Sequence, residues 1–137
     1  MYLNHADADI TAACLLLSPV GNPTNDEYIL DIAAYHVQQG IEKCLKYVLH
    51  DLSGADDSQK RFRTHNLLAL IALTEEETAY IVPQEIKNIA AMVTSWESSA
   101  RYGSSPVAAK EQIASVIGLY DMLRTDALQF AKTVSSQ

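Results

Sequence analysis

The sequence predicts an all-α protein, arranged as an antiparallel (up-and-down) bundle of four long helices plus one short helix. Apolar residues recur at spacings of three and four along most of the chain, and almost no stretch alternates with a period of two. Only 5 glycines and 4 prolines interrupt the 137 residues, too few for the many tight turns of a sandwich or barrel. A chain of this length is expected to form a single domain, residues 1–137, with a sizeable core.

A turn-rich segment separates the first two predicted helices. The first is expected to cover residues 4–17, with Asn4 as its cap, and the second residues 26–52, with Asn25 as its cap. The second helix would be roughly 40 Å long and form the spine of the fold. Its apolar stripe consists of Leu30, Ala34, Val37, Ile41, Cys44, Leu45, Val48 and Leu52.

A polar loop and a short helix are predicted in the middle of the chain. Residues 53–63 are almost entirely polar, which is typical of a loop. Thr64 is placed to cap the short helix that follows. Thr74 and Glu77 have the spacing of a capping box, which predicts one or two further helical turns.

Two prolines mark the starts of the last two long helices. Pro83 stands at a first-turn position, where helices accept proline. The helix that it opens carries Trp96 on its apolar face, and we interpret this side chain as part of the core rather than as a platform for stacking a base. The last helix is expected to run from about Pro106 to Lys132.

The charge distribution excludes one class of protein and leaves a local site open. The chain has 10 Lys and Arg residues and 17 Asp and Glu residues, for a net charge of -7. A generally basic protein that coats nucleic acid is therefore excluded. Residues 43–65, however, contain five cations and three anions, a local charge of +2. One basic region on an acidic protein favours a compact anionic ligand, although the cations of residues 60–63 would equally serve to keep a loop soluble.

The remaining composition predicts a cytoplasmic protein without a metal site or a cofactor. Cys14 and Cys44 lie in apolar helical stretches without metal-ligand spacing, which predicts reduced core thiols. We expect no signal peptide and no membrane span, because neither pattern is present. The common motifs of phosphate loops, nucleophile elbows and zinc proteases are also absent from the sequence.

A polar face lies opposite the apolar stripe of the second helix. On a helical wheel this face contains His36, Gln39, Lys43, Lys46 and His50. Imidazole, amide and ammonium groups in one row could hold a phosphate and a base edge, but the spacing fits an ordinary solvated face as well. The His65 side chain either satisfies hydrogen bonds of the turn beside Thr64 or points toward the basic region. Arg101, next to Tyr102 at the end of the fourth helix, is explained by the helix dipole alone.

Three segments, taken in order, match elements of one known family. Residues 34–46 read AYHVQQGIEKCLK, with an aromatic residue, His, two Gln, and then Glu-Lys and a second Lys. Residues 64–67 read THNL, at the opening of the next helix, and residues 100–102 read ARY. Together these elements resemble the HEPN domains (higher eukaryotes and prokaryotes, nucleotide-binding), and the resemblance covers about residues 5–132.

The resemblance to HEPN domains implies both a fold and a set of functions. It implies an antiparallel bundle of four or five helices, commonly a homodimer, often encoded beside a small nucleotidyltransferase. The implied roles are nucleotide binding, membership of a toxin–antitoxin pair, and metal-independent RNA cleavage. The binding residues that it suggests here are His36, Gln39, Lys43, Lys46, His65, Arg101 and Tyr102.

The chain departs from the motif of the ribonuclease members, in which Arg is followed by four to six residues and then His. Before His65, Arg61 leaves only three intervening residues and Arg63 only one. Lys60 leaves four but is not an arginine, and no histidine follows Arg101. We therefore assign no catalytic residue from the sequence.

Three functions remain open on the sequence alone. The first is a binding module for a nucleotide or RNA phosphate, acting as an accessory or toxin–antitoxin partner of a nucleotidyltransferase. It predicts that removing the charge of Lys43 or Arg101 weakens ligand binding with little change in melting temperature. The second is a metal-independent ribonuclease toxin that depends on His65. The third is a structural dimer that binds a protein, for which the glutamates of residues 75–77 are of equal interest.

Overall fold

The computed structural model describes residues 1–102 and 107–135, without the side chains of residues 98–102. Over these ranges the regular structure is helical, with no strand. The helices are α1 (Tyr2–Leu17), α2 (Glu27–Lys46), α3 (Leu67–Glu77), α4 (Gln84–Tyr102) and α5 (Lys110–Ser135). The predicted all-α fold, with four long helices and one short helix, is confirmed. The antiparallel order of the bundle stays a prediction.

The central element of the fold is α2, which contacts each of the other four helices. Its predicted apolar stripe is buried from Leu30 through Val48, and only Leu52 is half-buried. Gln38 and Glu42 are buried as well, which the apolar periodicity did not predict. Because a buried amide or carboxylate requires hydrogen-bond partners, these two side chains indicate a polar network inside the fold.

The end of the predicted second helix is not α-helical. After Lys46 the chain continues as a π-helical segment, Tyr47–Leu52. The rotation per residue differs between π- and α-helices, so a regular wheel misplaces the side chains that follow Lys46. One of these is His50, which is 9% exposed.

The start of α1 is held by contacts with the π-helical segment that follows α2. α1 begins at Tyr2, two residues before the predicted start, so Asn4 lies inside the helix and is not its cap. Asp51 Oδ2 accepts hydrogen bonds from the N-terminal amine of Met1 at 3.1 Å and from the Tyr2 N–H at 2.9 Å. These bonds satisfy donors that a helix start leaves open, and they place Tyr2 beside the π-helical segment.

The caps of α2 and α3 also differ from the prediction. Asp26, not Asn25, caps α2, and its carboxylate accepts the N–H of Tyr28 at 2.8 Å. Asn25 has a φ of 55°, in the left-handed region, whereas a cap residue has extended backbone. Asn66, not Thr64, caps α3, and the Thr64 hydroxyl accepts the Asn66 N–H instead.

The middle of the chain contains two further differences. The predicted capping box is wrong, because Thr74 lies inside α3 and its hydroxyl donates to the Leu70 carbonyl at 2.8 Å. The polar loop contains a 3₁₀ turn, Lys60–Phe62, whose Phe62 side chain is buried. This aromatic side chain anchors the cationic end of the loop, residues 60–63 (the basic loop), to the core.

The last helix begins and ends later than predicted. α5 extends from Lys110 to Ser135, whereas the predicted start, Pro106, lies outside the described residues.

Of three side chains that were predicted to lie in the core, the structure buries Trp96 and Cys44 and exposes Cys14. Trp96 is 1% exposed, which confirms the core interpretation. Cys44 is buried, and burial raises the pKa of its thiol to about 12. Cys14 is exposed, so the prediction of a core thiol is wrong there, since this side chain lies on the outer side of α1.

A polar clamp joins α1 to α5. Asp7 accepts hydrogen bonds from Arg124 Nε at 2.8 Å and Arg124 Nη2 at 2.9 Å, and from the Tyr120 hydroxyl at 2.5 Å. The Arg124 guanidinium lowers the pKa of Asp7 below its usual value, and burial together with Asp7 raises the pKa of Tyr120. The clamp joins α1 to α5, while Asp9 on the same helix contacts α2.

Candidate functional site

The polar face predicted on α2 is not a solvated surface. His36, Gln39, Lys43 and Lys46 are half-buried, and His50 is buried. Four of these side chains form two groups held by different carboxylates, Asp9 of α1 and Glu42 of α2 itself, whereas His50 Nδ1 contacts the Ala55 carbonyl. The solvated interpretation is therefore wrong, and each group has its own geometry.

The Asp9 group joins α1 to α2. Asp9 Oδ1 lies 2.7 Å from His36 Nδ1, and Oδ2 accepts from Lys43 Nζ at 2.5 Å. A carboxylate oxygen accepts, so the His36 Nδ1 carries the hydrogen in this contact. Because Lys43 is already paired with a half-buried carboxylate, removing its charge is now expected to destabilise the α1–α2 contact as well as any ligand complex.

The Glu42 group lies further along α2 and is more deeply buried. Glu42, whose side chain is 3% exposed, accepts from His65 Nδ1 at 2.9 Å, from Gln38 Nε2 at 3.2 Å and from Lys46 Nζ at 3.2 Å. Gln39 Nε2 extends the network by donating to Gln38 Oε1 at 2.7 Å. One buried carboxylate thus orients a lysine through one oxygen and a histidine through the other.

A cleft of about 290 Å³ opens beside the Glu42 group. It is formed where the start of α1, the end of α2, the basic loop and the approach to α3 meet. Its lining consists of Tyr2, Lys46, His50, Asp57, Phe62, Arg63 and His65. Among these seven residues Lys46 and Arg63 carry positive charge, two more are histidines, and Asp57 is the single carboxylate.

Asp57, the carboxylate in the lining of the cleft, already accepts a hydrogen bond from an aromatic residue. The Tyr2 hydroxyl donates to Asp57 Oδ2 at 3.0 Å. Burial and the neighbouring Asp57 raise the pKa of Tyr2 to about 12, so the phenol keeps its proton at neutral pH. Phe62 forms a second aromatic wall, with its ring centroid 5.5 Å from that of His50 in an edge-on arrangement.

The two arginines of the basic loop have different environments. Arg61 pairs with Glu77 at 2.7 Å and lies over the Phe62 ring at 4.5 Å, outside the cleft. Arg63 is exposed and lines the cleft, and no carboxylate within the described part of the chain pairs with its guanidinium. Among the described residues, Arg63 therefore contributes a cationic group to the cleft without a carboxylate partner.

The predicted binding residues do not all converge. Lys46 and His65 line the cleft, whereas His36, Gln39 and Lys43 are not among its lining residues. They belong instead to the networks that hold α1, α2 and the start of α3 in place. The backbones of Arg101 and Tyr102 belong to α4, and their side chains lie outside the described residues.

The sequence interpretation missed most of the cleft walls. Phe62 had a local signal, as the single aromatic residue in the polar stretch 53–63. Arg63 was considered as one of the loop cations and as an arginine too close to His65 for the ribonuclease motif, but not as a binding residue. Tyr2 and Asp57 have no local signal at all, because their contact joins positions 55 residues apart.

The glutamates of residues 75–77 are partly engaged within the chain. Glu75 pairs with Lys87 at 2.9 Å and accepts the Val82 N–H at 2.9 Å, while Glu77 pairs with Arg61. The carboxylates of Glu75 and Glu77 therefore link α3 to α4 and to the loops on either side of α3.

Within residues 1–102 and 107–135, no group of three or more His, Cys, Asp or Glu residues is placed to hold a metal ion. Nor does any helix in these ranges combine the length and apolar character that a membrane span requires.

The fold and the cleft together define an all-helical domain with a small basic pocket walled by aromatic rings. The family model of the HEPN domain matches residues 2–128, and the chain belongs to this family, as its motifs predicted. No curated protein and no solved structure matches the chain significantly. Family membership supports a nucleotide- or RNA-related module or a ribonuclease-type toxin.

Proposed function

We propose that this HEPN domain binds a phosphate group of a nucleotide or RNA in the cleft between α1, the end of α2 and the basic loop. The observation that carries the proposal is the exposed Arg63 guanidinium, which lines the cleft without a carboxylate partner among the described residues. A guanidinium forms paired, charge-assisted hydrogen bonds with phosphate oxygens. Lys46, the other cation of the cleft, and the neighbouring His65 are already oriented by Glu42.

The aromatic walls of the cleft support a nucleotide rather than a bare anion. Tyr2 and Phe62 lie beside the cations, and aromatic side chains next to basic groups are typical of sites that bind single-stranded nucleic acid. A larger depression of about 550 Å³ lies along α5, but Lys132 is the single charged residue in its lining. The smaller cleft therefore has the chemistry that a nucleotide phosphate requires.

The binding residues proposed from the sequence have two different roles in this proposal. Lys46 and His65 contact the ligand, whereas His36, Gln39 and Lys43 support the helices that carry them. Arg101 and Tyr102 remain proposed contacts from the end of α4.

Replacing Arg63 by Ala is expected to weaken binding of a fluorescein-labelled RNA hexamer of uridine by about tenfold or more, since a charge-assisted hydrogen bond contributes about 1.5–3 kcal/mol. Arg61→Ala is the matched control. It removes the same charge from a position only two residues from Arg63, and the Arg61 side chain lies outside the cleft. We expect a change below about threefold for Arg61→Ala. Both variants should melt within a few degrees of the wild type, since both side chains are largely exposed.

Fluorescence anisotropy at low salt measures both affinities. If both variants lose RNA affinity equally, the loss reflects general electrostatic attraction and not a contact in the cleft. An unchanged affinity in Arg63→Ala would contradict the proposed site.

A second candidate function, metal-independent RNA cleavage, has one observation in its favour. The Glu42 carboxylate accepts from His65 Nδ1, which leaves Nε2 of the 62% exposed His65 side chain free to move a proton at the cleft. Arg63 would stabilise the charge that develops on the phosphate. The altered spacing of the arginine and the histidine is the reason that this candidate stands second.

If the domain cleaves RNA, cleavage should persist in EDTA and disappear in His65→Ala. His5→Ala is the matched control, because His5 is an exposed histidine on α1 outside the cleft. Product formation is followed on a labelled RNA by denaturing electrophoresis. Cleavage that survives in His65→Ala, or none in the wild type, would contradict this candidate.

We also propose that the domain is a homodimer and acts beside a nucleotidyltransferase, as an accessory protein or toxin–antitoxin partner. The support is the family to which the chain belongs. Light scattering after size-exclusion chromatography tests the dimer, and growth of cells that express the chain with and without the nucleotidyltransferase tests the pairing.

A further inference from the structure

We propose that His50 recognises a ribose hydroxyl of the bound ligand, with its Nε2 accepting a hydrogen bond from the 2′-OH. This inference rests on the proposed function, because it assumes a nucleotide phosphate in the same cleft. It adds a residue that determines the sugar specificity of the site.

The observation behind this inference is an unpartnered nitrogen at the cleft. His50 Nε2 is buried and has no hydrogen-bond partner in the described part of the chain, although His50 lines the cleft. Its Nδ1 lies 2.8 Å from the Ala55 carbonyl oxygen. Because a carbonyl only accepts, Nδ1 carries the hydrogen, and when the ring carries this one hydrogen Nε2 presents a lone pair.

A buried acceptor without a donor is unfavourable, and native structures rarely leave one unmatched. An ionised phosphate cannot supply the missing donor, because its oxygens only accept. A ribose hydroxyl can supply it, and the 2′-OH is the group by which proteins distinguish RNA from DNA. With Arg63 and Lys46 on the phosphate, the sugar attached to that phosphate is the part of the ligand expected nearest to His50.

The surroundings of His50 indicate how a sugar reaches Nε2. The rings of Tyr2 and Phe62 each lie 5.5 Å from the imidazole, measured between ring centroids. Phe62 is buried, whereas Tyr2 is half-buried and its side chain is held by one exposed hydrogen bond to Asp57. Displacement of the Tyr2 ring is therefore expected to cost less than displacement of Phe62, and we expect the ligand to reach Nε2 from the Tyr2 side of the imidazole.

The test uses His50→Asn, whose side-chain amide nitrogen occupies nearly the position of Nδ1. This variant keeps a donor for the Ala55 carbonyl and lacks an acceptor at the position of Nε2. The probes are matched pairs that differ only in the 2′-OH: a uridine RNA hexamer against its deoxyuridine counterpart, and AMP against deoxy-AMP. The two pairs distinguish a polynucleotide from a free nucleotide as the source of the ribose.

We expect the wild type to bind the ribose form of at least one pair about tenfold more tightly, equivalent to about 1.4 kcal/mol. In His50→Asn the ratio should fall to near one, while affinity for the deoxy probe changes less than about twofold. His50→Gln, whose longer amide returns an acceptor to the position of Nε2, should keep part of the preference. It also keeps the test decisive if the Asn variant does not fold.

Two results would overturn the inference and leave the proposed function intact. One is equal binding of the ribose and deoxyribose probes by the wild type. The other is an unchanged preference in both His50 variants, which would indicate that a bound water satisfies Nε2. Failure of the wild type to bind any of the four probes would instead overturn the proposed function, and this inference with it.

Discussion

Replacing Glu42 by Gln is expected to lower the free energy of unfolding by about 3 kcal/mol, in the range measured for breaking a buried ion pair by removing one partner. Glu42 accepts hydrogen bonds from Gln38, Lys46 and His65 inside the protein. Its loss leaves the half-buried Lys46 ammonium without a counter-charge. A loss of this size corresponds to a fall in melting temperature of about 10 °C.

Urea denaturation of the variant measures this loss. Glu76→Gln is the matched control, since Glu76 is an exposed glutamate on α3 and its replacement should change stability by less than about 0.5 kcal/mol. In the double variant Glu42→Gln with Lys46→Met, much of the lost stability should return, because the unpaired charge is gone. A Glu42→Gln protein as stable as the control would show that the buried network does not hold the site together.

Replacing Trp96 by Ala is expected to cost about 4 kcal/mol, because a fully buried aromatic side chain leaves a large cavity. Trp96→Phe keeps most of the apolar contact and should cost about half as much. Since Trp96 is the single tryptophan of the chain, its fluorescence reports on the core without interference.

The Trp96→Phe variant also tests the core role of this side chain against the stacking role that the sequence analysis set aside. It should bind the RNA hexamer like the wild type, and RNA should not quench the wild-type fluorescence. A stable Trp96→Phe protein that no longer binds RNA would contradict the core interpretation.

The fold was largely predictable from the sequence because its helices are encoded locally. The apolar stripe of α2 repeats at a helical spacing, and nearly all of it is buried. Cap positions were less predictable, since Asn25 and Asp26 are both good caps and the choice depends on backbone geometry. The positive φ of Asn25 decides it, and that angle cannot be obtained from composition.

The candidate site was predictable only where its residues follow a motif. Lys46 and His65 lie in the family elements, and both line the cleft. The contact of Tyr2 with Asp57 joins distant parts of the chain, so no local pattern indicates it. The π-helical segment after Lys46 changes the helical phase, which is why a wheel does not reveal the buried nitrogen of His50.

The most direct test of the account is to locate the bound nucleic acid by photo-crosslinking. A 4-thiouridine RNA hexamer is irradiated with the wild-type protein, and the attached peptides are identified by mass spectrometry. We expect adducts on the peptides that contain Tyr2 and Phe62, with a lower yield in Arg63→Ala than in Arg61→Ala. Adducts confined to residues 125–132 of α5, or yields that do not differ between the two arginine variants, would contradict it.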